Sequence, residues 1–173
     1  MIEPVTGADL AAYTQGQVSA GDPVAEQAVA DALAAVRSYC GWHVIGRQTE
    51  TLTVNGNGFG LLTLRTMHVV DVIEVREFGE LVPADAYRWS DSGMLRKKSG
   101  RWPDEFRCIT VELTHGYERA ADVRGVVLSV AAREATNPFR FTNQSVGGMS
   151  FGHAGFGLMA DEYARLDPYR IGN

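Results

Sequence analysis

The apolar residues of this chain repeat at two different periods, and the period changes twice. Between Asp22 and Trp42 (DPVAEQAVADALAAVRSYCGW), Ala25, Val29, Ala32, Leu33, Val36 and Cys40 recur at three- and four-residue steps, one stripe of a helix. From Thr49 the step is two. It is clearest at Ile109, Val111 and Leu113, which point inward between Thr110, Glu112 and Thr114. From Val123 the helical step returns through Val126, Val127, Val130 and Ala131. A helix-period stripe does not serve as a strand, so this order constrains the fold more than any single motif. It predicts an α+β chain, a small helical core of about four helices with an inserted antiparallel β-sheet of about six or seven strands.

Local signals set the boundaries. Asp22 can cap the long helix, Pro23 suits its first position, and Gly41 is a left-handed stop. Thr6-Gly-Ala-Asp9 has the form of a capping sequence for a short helix through Tyr13. Asn55-Gly-Asn-Gly58 predicts a hairpin joining Thr49–Val54 to Phe59–Leu64. Val69–Phe78, Leu81-Val82, Tyr87–Ser90, Met94–Lys97 and Phe106–His115 supply the other strands, with Ile73 and Val75 expected on one face. Asn137-Pro138 ends the second long helix; Leu158–Leu166 is a short one, stopped by Asp167-Pro168. Residues 1–42 are thus the N-terminal helices and 43–117 the inserted β subdomain. Residues 118–173 are the C-terminal helices with a Gly/aromatic-rich arm at about 139–157, and the whole is a single structural domain.

Composition excludes several classes. With 173 residues, 45% hydrophobic and 21% charged, the chain can bury a core and lies far from disordered sequences. No apolar run approaches the ~20 residues of a membrane span, and Met1–Leu10 lacks the basic start and apolar core of a leader. Synthesis in the cytoplasm is the expectation, with both cysteines reduced and structural. Net charge is −5, of which residues 1–42 hold −4: Glu3, Asp9, Asp22, Glu26 and Asp31 stand against Arg37 alone. An acidic helical end argues against tight nucleic-acid binding, though not against DNA sliding past.

Candidate chemistry is sparse. Cys40-Gly-Trp-His43 looks like half a metal site, but a structural zinc needs four ligands and Cys108 has no partner at metal spacing, so core packing at the helix exit is favoured. His68, His115 and His153 are isolated in sequence, and none sits in a nucleophile elbow. No catalytic residue, metal or cofactor is expected. Arg96-Lys97-Lys98-Ser-Gly-Arg101-Trp102 suggests either a phosphate contact with an aromatic platform or a solvated hairpin turn at Ser99-Gly100; Asp104 and Glu105 favour the turn. In the arm, Phe139, Phe141, Met149, Phe151 and Phe156 are costly to leave in water. They fold back on the chain's own core or are buried by another chain.

Taken together and in order, several segments resemble the head-to-tail connector (adaptor) proteins of long-tailed bacteriophages, particularly of actinobacterial hosts. They are Val5-Thr-Gly-Ala-Asp-Leu10, Val36-Arg-Ser-Tyr-Cys-Gly-Trp-His43, Tyr87-Arg-Trp-Ser90, Gly100-Arg-Trp-Pro103, Thr114-His-Gly-Tyr117, Ala135-Thr-Asn-Pro138 and Leu166-Asp-Pro-Tyr-Arg170. No single segment is specific. The resemblance implies a non-enzymatic virion protein of the neck, made in the host bacterial cytoplasm. It forms a homo-oligomeric ring, a dodecamer in the virion, beneath the portal protein. The ring extends the DNA channel and offers a docking platform to head-completion (stopper) or tail proteins. Double-stranded DNA passes through without sequence-specific binding, and no membrane is involved.

By analogy the arm and tail would meet the portal or a neighbouring subunit, through Phe139, Phe141, Val146, Gly147, Gly148, Met149, Phe151, Phe156, Tyr169 and Arg170. The acidic Asp22, Glu26 and Asp31 would face the channel, repelling phosphate rather than gripping it. Alternatives are another neck or tail protein, such as a stopper or tail-end protein, and a small ligand-binding β-domain or enzyme.

Overall fold

The computed structural model describes residues 5–137, 143–146, 149–152 and 157–172. Among the described residues, four α-helices with antiparallel sheets of four, three and two strands make this an α+β fold with a helical core and an inserted sheet region. The chain divides into a sheet unit, Gly41–Glu118 with residues 171–172, and a helical unit, residues 5–40 with Arg119–Arg170. Among the described residues, no helix is long and apolar enough to cross a membrane.

The helical unit comprises α1 (Gly7–Tyr13), α2 (Pro23–Cys40), α3 (Ala121–Thr136) and α4 (Ala160–Leu166). Thr6 and Asp9 form a reciprocal capping box: the Asp9 carboxylate accepts from the Thr6 amide at 3.0 Å, and the Thr6 hydroxyl accepts from the Asp9 amide at 3.3 Å. Asp22 Oδ1 accepts from the Val24 amide at 2.9 Å, and α2 stops at Gly41, whose φ of +80° suits glycine. Helix α2 buries Ala25, Ala28, Val29, Ala32, Val36 and Cys40, and leaves Leu33 half-buried. It packs against α3, which buries Val123, Val126, Val127, Leu128, Val130 and Ala131. In the arm, β8 (Asn143–Val146) pairs antiparallel with β9 (Met149–Gly152).

The sheet unit has seven strands: β1 (Gln48–Val54), β2 (Leu61–Thr63), β3 (Val69–Glu77), β4 (Glu80–Leu81), β5 (Tyr87–Trp89), β6 (Met94–Lys97) and β7 (Ile109–His115). They divide into two sheets, ordered β1-β7-β3-β4 and β2-β6-β5. The expected hairpin at Asn55–Gly58 does not form. β1 pairs along its length with β7, whereas β2 pairs with β6 in the other sheet. The reason lies in the loop's partners: the Gly56 amide donates to Glu105 O at 2.8 Å, and Asn55 Oδ1 accepts from the Arg107 amide at 2.9 Å. The turn-favouring residues serve a crossing between sheets, latched to the 103–107 loop. A Cβ on Gly56 would collide with the Pro103 carbonyl.

β3 also departs from its pattern. It buries Val69, Val72 and Val75, a three-residue step, because the pairing with β7 slips between Val69 and Asp71 and again between Val72 and Glu74. Each slip leaves one residue without an opposite number, Val70 and then Ile73. Ile73 is consequently exposed while Val75 is fully buried. Residues from both sheets form one core, including Leu62, Leu64, Val75, Leu95, Trp102, Ile109, Val111 and Leu113.

Candidate functional site

The chain enters and leaves the sheet unit at one seam. The Gly46 amide donates to Tyr117 O at 2.9 Å, the Tyr117 amide to Val44 O at 2.8 Å, and the Gly116 amide to His68 O at 3.0 Å. Gly116 is required there: its φ is +99°, and a Cβ would strike the Gly46 carbonyl. Three histidines that are far apart in sequence converge on this seam. His68 stacks on Tyr117 at 4.3 Å between ring centres, and the His43 and Trp42 rings lie 6.0 and 6.1 Å from that of His115. His115 is buried with its Nε2 2.9 Å from Glu50 Oε1, and His43 Nε2 is 2.6 Å from Gly46 O. Each imidazole is thus taken up by ring packing or local bonds that hold the seam.

Cys40 and His43 have separate environments. Cys40 is buried with Sγ 4.0 Å from Leu166 O, and burial pushes its thiol up to about 11, which keeps it protonated and inert. Cys108 is buried, its thiol directed at Glu105 O at 3.2 Å. The basic segment 96–102 is divided between core and surface. Trp102 is only 1% exposed and belongs to the core, so it is no stacking platform. Lys97 covers its ring at 4.7 Å and pairs with Glu77 at 2.6 Å. The segment's turn is not a hairpin between strands, because the Trp102 amide returns to Phe59 O at 2.9 Å.

In the helical unit, Tyr169 and Arg170 have internal partners. The Tyr169 hydroxyl lies 2.8 and 3.0 Å from the two Asp122 carboxylate oxygens. The Arg170 guanidinium lies 5.3 Å from the centre of the Tyr39 ring, whose hydroxyl donates to Asp167. That bond to Asp167 holds the Tyr39 hydroxyl above its ordinary pKa. Phe139, Phe141, Gly147, Gly148 and Phe156 lie outside the described residues; Val146, Met149 and Phe151 sit on the β8–β9 backbone. Among the acidic trio on and before α2, Asp22 caps, Glu26 lies over Gly7, and Asp31 accepts from Gln27 at 2.8 Å. Glu26 and Asp31 are five residues apart, about 140° around the helix, so they do not form one row.

The strongest polar contact in this unit was not legible in the sequence. Arg133 forms a two-pronged pair with Glu162, both N–O distances 2.7 Å, and also donates to Gly157 O at 2.8 Å and Ser129 Oγ at 3.0 Å. Burial works to raise the Glu162 pKa, yet the bonds from Arg133 and the Met159 amide outweigh it and the value falls below the ordinary one. The pair clamps α4 to α3 where the chain returns from the arm.

The sheet unit shows two charged outer faces. On the four-stranded sheet, Thr49, Thr51 and Thr53 of β1 stand beside Thr114, Glu112 and Thr110 of β7, and these beside Asp71, Glu74 and Arg76 of β3. On the three-stranded sheet, Arg88 stands opposite Arg96, which in turn faces Leu61, and Thr63 faces Met94.

No family model matches this sequence, and no curated protein matches it. Solved structures do. The chain is similar to one in the neck of an empty gene transfer agent particle computed with C6 symmetry, with a TM-score of 0.67 and 16% identity over 98% of this chain and 91% of that one. It is similar also to one in the neck of the native particle computed with C12 symmetry, at 0.61 and 15% over 100% and 96%. A chain of the native particle's virion matches at 0.66 and 14% over 98% and 91%. The likeness is one of fold, and it spans the helical and the sheet units together.

Proposed function

We propose that the chain is a structural protein of the neck of a phage-like particle, a head-to-tail connector that forms a ring beneath the portal. The observation that carries this is the whole-length fold likeness to chains of necks computed with C6 and C12 symmetry. A ring built from one chain needs two different complementary surfaces per subunit, related by a rotation that closes. In this reading the ring, a dodecamer, extends the DNA channel and gives head-completion or tail proteins a platform. The arm, including Val146, Met149 and Phe151, would lie against the portal or a neighbour, and Asp22, Glu26 and Asp31 would face the channel. A catalytic role receives no support from the seam histidines, whose contacts are structural.

Electron microscopy of the protein mixed with its portal tests the proposal. Rings seated on the portal are expected. Binding to a tail tube and not to the portal would instead assign the chain to the tail end, and a monomer that ignores both would remove the neck role. Channel placement has its own test: Glu26→Lys with Asp31→Lys should slow DNA release, and unchanged release would move these residues off the channel.

A further inference from the structure

The two sheets of one unit carry opposite charge on their outer faces, and both faces place like charges side by side. Arg88 and Arg96 are directly opposed across β5 and β6, both exposed, with no ion pair among the described residues. Like charges opposed across strands are unfavourable, since paired residues on one face lie about 5 Å apart. Leu61 and Met94 share this face and are 44% and 41% exposed. On the four-stranded sheet Glu74 and Glu112 are likewise directly opposed, and Asp71 is exposed on the same face. Arg76 pairs with Glu74, which leaves Asp71 and Glu112 without an ion pair among the described residues. One face is therefore basic by two charges and the other acidic by two. The inner sides of both sheets meet in a single core, so these faces look away from each other.

We infer that the basic face of one copy docks on the acidic face of the next, the head-to-tail contact of the proposed ring. The inference rests on the ring reading and names its surfaces. Each face relieves on the other the repulsion that it carries alone, and two faces pointing apart on one unit are what a heterologous contact requires. Duplex DNA is the competing occupant of the basic face. Leu61 and Met94 decide against it, because phosphates offer apolar side chains nothing, whereas the threonine methyls of the acidic face do.

The test is charge reversal on the full-length chain, read by native mass spectrometry and sedimentation. R88E/R96E should weaken self-association more than tenfold, and so should D71K/E112K, which leaves the Glu74–Arg76 pair intact. Mixed one to one, the two variants should assemble again, because alternating copies restore every contact and rings of C6 or C12 symmetry hold an even number of positions. R88Q/R96Q, which keeps side-chain size, guards against misfolding and should weaken assembly to a lesser degree. Wild-type rings with both reversed variants still assembling would overturn this inference and spare the ring. Reversed variants that fail alone and fail when mixed would also overturn it. So would loss of duplex-DNA binding by R88E/R96E with ring formation unchanged. A wild-type chain that stays monomeric at all concentrations would remove the ring reading itself.

Discussion

The helical unit ties several of its charges to partners across helices, and the sheet unit sets like charges side by side on its outer faces. In the first, Arg133 and Glu162 clamp two helices, Asp9 reaches Arg124 at 2.7 Å, and Tyr169 meets Asp122. In the second, backbone ladders and an apolar core hold the strands, with Lys97–Glu77 as an internal pair, while Arg88 faces Arg96 and Glu74 faces Glu112. Pairs of this kind hold a unit's own shape. A unit with unmatched charge on two faces has something left to offer a partner.

The contrast is broken most severely at Arg133. Arg133→Met should cost about 3–5 kcal/mol in urea unfolding, because Glu162 is left buried without its cation. The double variant R133M/E162L should recover most of that loss; if it does not, the clamp acts through more than charge. The same pair sets an acid limit. Glu162 and Asp9 both sit below their ordinary values of 4.5 and 3.8, in each case despite burial, because hydrogen bonds to Arg133 or to Thr6 and Arg124 favour the anion. Their contribution is therefore complete above those ordinary values and is lost as pH falls through the depressed ones. Thermal scans from pH 6 down to pH 3 should show this loss, and R133M should flatten it.

On the sheet side, Gly116→Ala should cost about 2 kcal/mol, from a strained positive φ and a collision with the Gly46 carbonyl. An unchanged melting temperature would show that the seam is not what closes this unit. Phe78→Asn should do the opposite. Phe78 and Gly79 both have positive φ in the two-residue turn between β3 and β4, a conformation that asparagine adopts at lower cost than phenylalanine. A gain on the order of 1 kcal/mol is expected, measurable by denaturant midpoint. Since Phe78 is 65% exposed, its ring contributes little to the core. The smallest effect belongs to Arg88→Gln alone, which relieves one like-charge contact and should stabilise by roughly 0.2–1 kcal/mol. A loss at Arg88→Gln would mean that the arginine side chain packs usefully on its own sheet.

What the sequence made legible follows from the range of the forces involved. The long helix was readable because its cap, its stripe and its glycine stop all lie within twenty residues, and β7 because alternation is a property of one strand. The Asn55–Gly58 hairpin failed for the complementary reason: a turn signal is local, while the true partner of β1 begins at Ile109. The step of three in β3 comes from slips against β7 that no periodicity in β3 announces. Arg133 and Glu162 are 29 residues apart, and nothing in either neighbourhood points to the other. The charged faces were hidden in the same way, since Arg88 and Arg96 become neighbours only once the register is known.

The seam at Gly46 and Tyr117 has a consequence at the scale of genes. Because Ile45 and Tyr117 are bridged, the incoming and outgoing strands of the 41–118 segment run about one strand spacing apart there, roughly 5 Å. A host chain needs to open only a gap of that width to accept such a cassette, and can close over the gap if the cassette is lost. A segment joined in this way can be inserted or deleted as one piece, because its two joints are close together.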